Sequence, residues 1–381
     1  MQGQKNQREQ FPALTGLRAL AAYLVFAHHY PPAPELVGRP LFLMLREGRI
    51  GVAVFYTLSG FLIAWTYWDK AQSAQPFWRD YTVKRVARIQ PLYLSLLCLA
   101  YGAGRVVNHV WPSAFETALN ITLLKGFFDE YKFSGIAPAW SLTVEECFYF
   151  LAPLLFVLIR RTGFAFTQLL IWCTAGVAWL VGSRVGFHGL FGNAQFVGEY
   201  TFFGRSLEFI VGIYCARWLH RHQQIGTKET RSLPVQTFVG FFGVLVCLGF
   251  MGFLSESEWF PFTIGQRTFH PAGILINNFV LPFFIGFLLL GLTREISILK
   301  RLLSSRFFGL LGRSSYAFYL IQFGFPATLL AVLLRSNLIY FVAVNVLAIL
   351  AYLYLEHPAN LWIRRKWLRP ERAATAATPL V

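Results

Sequence analysis

Residues 12–30 read PALTGLRALAAYLVFAHHY, an apolar run of helix length with Arg18 toward one end and His28 and His29 at the other. Crossing the hydrocarbon core takes about 20 mainly apolar residues. In that setting a helix satisfies its own backbone hydrogen bonds, which an open strand cannot do. The same window recurs near 50–68, 89–107, 141–160, 164–184, 196–218, 235–254, 271–292, 307–328 and 336–356. The chain therefore reads as all-α, a polytopic membrane bundle of about ten transmembrane helices. Composition agrees: 56% of residues are hydrophobic and 14% charged, where a soluble domain carries roughly 25% charged residues. Most of the surface is thus expected to meet lipid, and the 17% aromatic content suits interfacial belts.

The net charge of +16 is not gathered in one patch. It recurs in short clusters between apolar windows, such as Lys84, Arg85 and Arg88, or Arg364, Arg365 and Lys366. This is a topology signal and argues against a nucleic-acid partner. Lys5 and Arg8 open the chain, and alternate connections carry most of the remaining basic residues. Both termini are therefore expected in the cytoplasm, as an even helix count requires. Cys98, Cys147, Cys173, Cys215 and Cys247 lie in separate windows without metal-ligand spacing, so neither a metal site nor a disulfide framework is expected. The organisation expected is a cytoplasmic segment at 1–11, a membrane domain at 12–360, and a tail at 361–381 that is first basic and then disordered. The first window has helix length and no small-residue cleavage site, so it reads as a retained anchor. The longest outside stretch, about 108–139, is expected to form a re-entrant or amphipathic element rather than a bare loop.

Ionisable side chains within a membrane helix are costly and call for a partner or a task. Eleven residues separate Arg18 from His29. At 100° per residue both point the same way to within about 20°, roughly 16 Å apart along the axis, while His28 is turned about 100° aside. One polar stripe is thus expected to face the bundle interior. In the second window Gly51, Ser59 and Gly60 permit close helix approach. Arg85 and Arg88 are i,i+3 neighbours that serve either as a topological anchor or as a pair for phosphate oxygens. The fourth window opens AWSLTVEECFYF, with Glu145 and Glu146 about 100° apart, so at most one is expected to share a cavity with His29. A carboxylate there either orients a histidine or partners a buried arginine. Trp140 and Tyr149 offer aromatic surface suited to sugar rings, and Arg205 with Glu208 forms an i,i+3 pair read as structural.

Taken in order, these segments resemble the acyltransferase 3 family of bacterial membrane O-acyltransferases. The resemblance rests on Arg18-x10-His29, GVAVFYTLSGFLI (51–63), KRVARIQPLY (84–93), SLTVEECFYFLAP (141–153), RSLEFIVG (205–212), RSSYAFYLIQ (313–322) and YLEHP (354–358). Each motif alone is weak; seven in sequence are specific. Two positions depart from the pattern: many relatives are acidic where Ala53 stands and have histidine where Gln322 stands. No hydrolase-like domain is fused within the sequence, so transfer is expected to be completed inside the bundle.

What the resemblance implies is a multi-pass enzyme of the bacterial cytoplasmic membrane that moves an acyl group from cytoplasmic acyl-CoA, most often acetyl-CoA, to a hydroxyl of a carbohydrate or glycoside. No tightly bound cofactor is expected. Arg85 and Arg88 would hold the donor phosphates, Arg18 the thioester, and His29 would take the hydroxyl proton. An acyl-histidine is the covalent variant. Glu145 would orient a reacting group. The rival reading is a polytopic transporter using the same intramembrane Arg, His and Glu, although no internal repeat is visible.

Overall fold

The computed structural model describes residues 11–72, 77–109, 111–224, 233–256, 262–264, 267–269, 271–324, 334 and 336–368. The segment expected to be a disordered tail, and Lys5 and Arg8 at the other end, lie outside these. Helices account for nearly all of the described chain. The long ones are α1 (Pro12–His29), α2 (Gly51–Tyr67), α3 (Trp78–Asn108), then after the short α4 (Ala114–Ile121) α5 (Trp140–Thr162), α6 (Phe164–Val185) and α7 (Phe202–Gln224). They are followed by α8 (Val235–Glu256), α9 (Leu281–Arg294), α10 (Arg306–Ile321) and α11 (Asn337–Ala351). A two-stranded antiparallel hairpin, Phe262–Ile264 with Arg267–Phe269, is the exception among the described residues.

Among the described residues, seven helical segments are long and apolar enough to cross a membrane: Gly48–Tyr67, Trp78–Val107, Ala137–Thr162, Phe164–Val185, Val235–Glu256, Ala272–Arg294 and Asn337–Trp367. This falls short of the ten windows read from the sequence. The other three windows contain α1, α7 and α10. The first two carry ionisable groups within the helix, and α10 has 16 residues before the described chain pauses at 324. On α7 the charges of Arg205 and Glu208 are buried as a pair, and Arg18, His28 and His29 of α1 are partly buried, which lessens their cost.

Helix α2 is the centre. Its crossing window is 78% buried, whereas those of α6 and of the segment from α11 onward are 17% buried and present apolar side chains such as Leu169, Val181, Leu338 and Val346 outward. The centre packs closely because glycine lets backbones meet. A Cβ on Gly60 would lie 2.2 Å from the carbonyl oxygen of Phe209, and one on Gly212 would lie 2.1 Å from that of Thr57. Thus α2 and α7 touch backbone to backbone. Polar ties fix the layers around them: Tyr23 Oη donates to Asn345 Oδ1 at 2.6 Å, linking α1 to α11, and Tyr316 Oη to the Ile89 carbonyl at 2.9 Å, linking α10 to α3.

Three details differ from the reading of the sequence. The basic segment and the third window are one continuous helix, α3, with Arg85 and Arg88 inside it. The window at 196–218 is broken: Ala194–Tyr200 ends at Thr201, whose extended backbone (φ −114°, ψ 161°) separates it from α7. Before α9, residues Ile276–Val280 form a π-helical turn.

The stretch 111–139 holds α4 followed by 3₁₀ turns at Lys125–Phe127 and Ala137–Ala139. It has a polar core of its own. Asn120 Nδ2 donates to the Glu116 carbonyl (3.0 Å) and to Ser134 Oγ (2.8 Å). The fully buried Lys125 donates to the carbonyls of Ser134 (2.5 Å) and Ile136 (2.7 Å). These bonds hold Phe133, Ala137 and Pro138 over the bundle.

Candidate active site

Two cavities adjoin within the bundle. The inner, of about 50 Å³, is lined by Arg18, Phe55, Tyr56, Ser59, Arg88, Glu145 and neighbouring residues of α5 and α10. The outer, of about 190 Å³, is lined by His28, His29, Arg49, Trp140, Glu199, Tyr200, Arg205 and Asn277, with Phe133 and Phe323 at its edge. Val52 and Tyr319 line both, so they form the partition. Tyr319 is held there by its hydroxyl, 2.9 Å from Ser141 Oγ and 3.1 Å from the Pro138 carbonyl it donates to.

The helical register of α1 accounts for the pairing. Arg18 and His29 point the same way but three turns apart, and the structure places one in each cavity. The stripe expected on this helix therefore faces protein, on both sides of the partition. The ring of His29 stacks on Phe323, with centroids 4.3 Å apart and planes 17° apart. His28, expected to turn aside, also lines the outer cavity, and its Nδ1 contacts the Arg46 carbonyl. A carbonyl can only accept, so Nδ1 of His28 carries a proton.

Glu145 belongs to the inner cavity with Arg18 and Arg88, not to the one holding His29. Its Oε1 accepts from Ser59 Oγ and, at 2.7 Å, from Tyr149 Oη. Ser59, read from the sequence as a packing residue, is thus a hydrogen-bond donor, while the adjacent Gly60 makes the close approach. Glu146 points elsewhere, and its buried Oε1 has no hydrogen-bond partner among the described residues. The two arginines of α3 also part company. Arg88 lines the inner cavity; Arg85 does not, and its guanidinium lies over the rings of Tyr149 (5.4 Å) and Tyr81 (5.8 Å). Tyr149 thereby joins Arg85 to Glu145.

Arg205 and Glu208 form the expected ion pair at 2.8 Å, both buried, but Arg205 also lines the outer cavity. Ala53 and Gln322 are both fully buried, and neither is among the lining residues of the two cavities. Arg49, Glu199 and Asn277 were not singled out from the sequence. The signal for Asn277 was present in two adjacent amides, Asn277 and Asn278, inside an otherwise apolar window. Arg49 lies in the turn before α2 and pairs with Glu47 at 3.0 Å. No cluster of potential metal ligands occurs among the described residues.

A small inner chamber with two guanidinium groups thus adjoins an outer chamber with imidazoles and aromatic walls. The family model described as an acyltransferase domain matches residues 11–357, and the chain belongs to this family, acyltransferase 3. It is an acyl-transferring enzyme, in a chain with multiple membrane-crossing helices. Acyltransferase MdmB of Streptomyces mycarofaciens is 29% identical over 346 residues, covering 82% of this chain and 78% of that protein. Peptidoglycan O-acetyltransferase OatA of Listeria monocytogenes is 23% identical over 330 residues, again 82% of this chain but 49% of the relative, so the chain spans about half its length. No solved structure matches the chain.

Proposed function

We propose that this enzyme moves an acyl group, acetyl in the first instance, from cytoplasmic acyl-CoA to a hydroxyl of a carbohydrate or glycoside at the outer side of the bacterial cytoplasmic membrane. In this reading the bundle has ten spans and both termini are cytoplasmic. The observation that carries it is the placement of Arg18 and His29, on one helix, in two chambers that share the Val52–Tyr319 partition. The aromatic wall of the outer chamber and the peptidoglycan named for OatA support a sugar acceptor.

The donor enters from the cytoplasmic side, where Arg88, with Arg85 behind it, attracts its phosphates. The thioester then lies beside Arg18. The acceptor hydroxyl sits in the outer chamber, and His29 takes its proton as the oxygen attacks the thioester carbonyl carbon. Arg18, three turns from His29 on the same helix, acts earlier, holding the thioester end of the donor in the inner chamber until the acyl carbonyl passes the partition. Collapse breaks the carbon–sulfur bond, the thiolate recovers a proton, and the ester leaves on the outer side. Glu145 acts by position, tying Ser59 and Tyr149 to the wall that faces Arg18 and Arg88. Side-chain adjustment of Tyr319 and Val52 opens the partition for the acyl group.

The test is acyl transfer from radiolabelled acetyl-CoA in membranes bearing wild-type, His29→Ala or Arg18→Ala protein at matched levels. Loss of about 10²–10⁴-fold is the expected scale for a general base. Turnover close to wild type in either variant removes that residue's role.

A further inference from the structure

The imidazole of His29 is held by rings and not by polar groups. Among the described residues no hydrogen bond or ion pair reaches it; its ring neighbours are Phe323, stacked with centroids 4.3 Å apart and planes 17° apart, and His28, tilted by 59° at 5.0 Å. A working histidine is ordinarily oriented by a hydrogen bond to one ring nitrogen. Here His28 has such a bond, to the Arg46 carbonyl, and His29 has a phenyl face instead. Stacking fixes the plane of the imidazole and leaves its edge unengaged. Neither nitrogen of His29 is sealed within the protein, and His29 and Phe323 line the same outer cavity.

The position of Phe323 is built into the end of α10. The helix stops at Ile321, and Gln322 still donates its N–H to the Phe318 carbonyl at 3.0 Å. The Gln322 carbonyl, in the peptide that leads into Phe323, accepts from Tyr340 Oη of α11 at 2.8 Å. Tyr340 in turn packs on α1 itself, its ring 5.6 Å from that of Phe26 and 5.0 Å from that of Tyr30. The peptide carrying Phe323 is therefore tied to the same turn of α1 that carries His29. Directly afterwards Gly324 takes φ 102°, a conformation that favours glycine, and the chain turns away.

A phenyl face beside a base has an electrostatic consequence. That face is the negative part of the ring quadrupole, and it attracts a cation within about 6 Å of its centroid. His29 becomes such a cation when it takes the acceptor's proton. The two arginines of the chamber have their own carboxylates, Arg49 in Glu47 and Arg205 in Glu208. Glu199 lines the same chamber, but among the described residues it makes no ion pair or hydrogen bond with His29.

We infer that Phe323 is a positioning residue for the transfer, setting the plane of the His29 ring and offering its face to the charge that ring acquires. This rests on, and deepens, the reading of His29 as the general base. An aliphatic side chain of similar bulk fills the space without supplying that face.

The test has a structural and a kinetic arm. Protein with isotope-labelled histidine rings is examined by NMR in detergent. The ring current of Phe323 should move the His29 Hε1 signal upfield; the signal is assigned by its absence from His29→Ala, and Phe323→Leu should return it toward its ordinary position. In membranes, thiol release from acetyl-CoA is compared at matched protein levels for wild type, Phe323→Leu and Phe323→Tyr. The attraction exists only once the proton is moving onto His29, so its loss lowers kcat and leaves KM for acetyl-CoA unchanged. Phe323→Leu should lower kcat by about 3- to 30-fold. Phe323→Tyr keeps the ring face and should hold kcat near wild type. Phe323 is 38% exposed, so these replacements spare the core, and Phe323→Met takes the place of the Leu variant if that one folds poorly. No upfield His29 signal, equal kcat in the Leu variant and wild type, equal losses in the Leu and Tyr variants, or a loss confined to KM overturns the positioning role. Absence of acetyl-CoA turnover by the wild type overturns the transferase reading and this role with it. Turnover that Phe323→Leu leaves untouched overturns the role alone.

Discussion

Ser59→Ala and Glu145→Gln, singly and together, probe whether the Glu145 carboxylate works through its hydrogen bonds. In the structure Glu145 Oε1 accepts from Ser59 and from Tyr149, the latter at 2.7 Å, and the carboxylate lines the cavity with Arg18 and Arg88. A hydrogen bond to a charged group is worth about 1.5–3 kcal/mol, and each 1.36 kcal/mol in a barrier is about tenfold in rate. If the wall they form is what presents Arg18 to the donor, either single substitution lowers kcat/KM for acetyl-CoA by about 10- to 100-fold. The two share one bond, so their effects overlap: the double variant should be little worse than the poorer single one, a coupling of about 1–3 kcal/mol. The assay is initial-rate thiol release in membranes, with immunoblot-matched protein and a thermal melt in detergent to separate activity from folding. Losses that multiply, with coupling within about 0.5 kcal/mol of zero, would refute the reasoning, because Ser59 and Glu145 would then be acting independently.

Three further outcomes follow from the geometry. His29→Ala should lower transfer by about 10²–10⁴-fold while His28→Ala, whose imidazole is anchored on the Arg46 carbonyl, should lower it by about tenfold or less, in keeping with a positioning role; equal losses in the two membrane assays would mean that the sequence register of α1 named the wrong imidazole. Gly60→Val sets a side chain where a Cβ alone would lie 2.2 Å from the Phe209 carbonyl oxygen. It should destabilise the bundle by about 3 kcal/mol or more, read as loss of monodisperse protein on size exclusion, and normal yield and melting would contradict the close approach. Burial pushes the Lys125 amine down from 10.5 to about 7. Between those values the unfolded chain binds the proton more readily, so this group's contribution to stability grows as pH rises from about 7 toward 10.5, by at most about 1.4 kcal/mol per pH unit. Thermal unfolding between pH 7 and 9 should therefore show a steeper rise for wild type than for Lys125→Met, and identical slopes would refute the assignment.

Much of the membrane architecture is legible along the chain because lipid allows few solutions: an apolar segment of sufficient length must close its hydrogen bonds within itself. The same local periodicity set Arg18 and His29 on one side of α1, and small residues at 51 and 60 marked the close packing of α2. Periodicity gives direction only relative to a helix's own axis. Which neighbour that direction meets depends on how the helices pack, and this is where tertiary structure decides. Glu145 joined Arg18 and Arg88 instead of His29 because α5 presents that face to α2 at the inner level. Arg85 and Arg88, equal in sequence terms, separated into one residue on aromatic rings and one on a cavity. The outer cavity is assembled from α1, the turn before α2, the surface element after α4, the break before α7 and the π-helical turn before α9. No local pattern announces residues so far apart in the chain; only packing brings them to one wall.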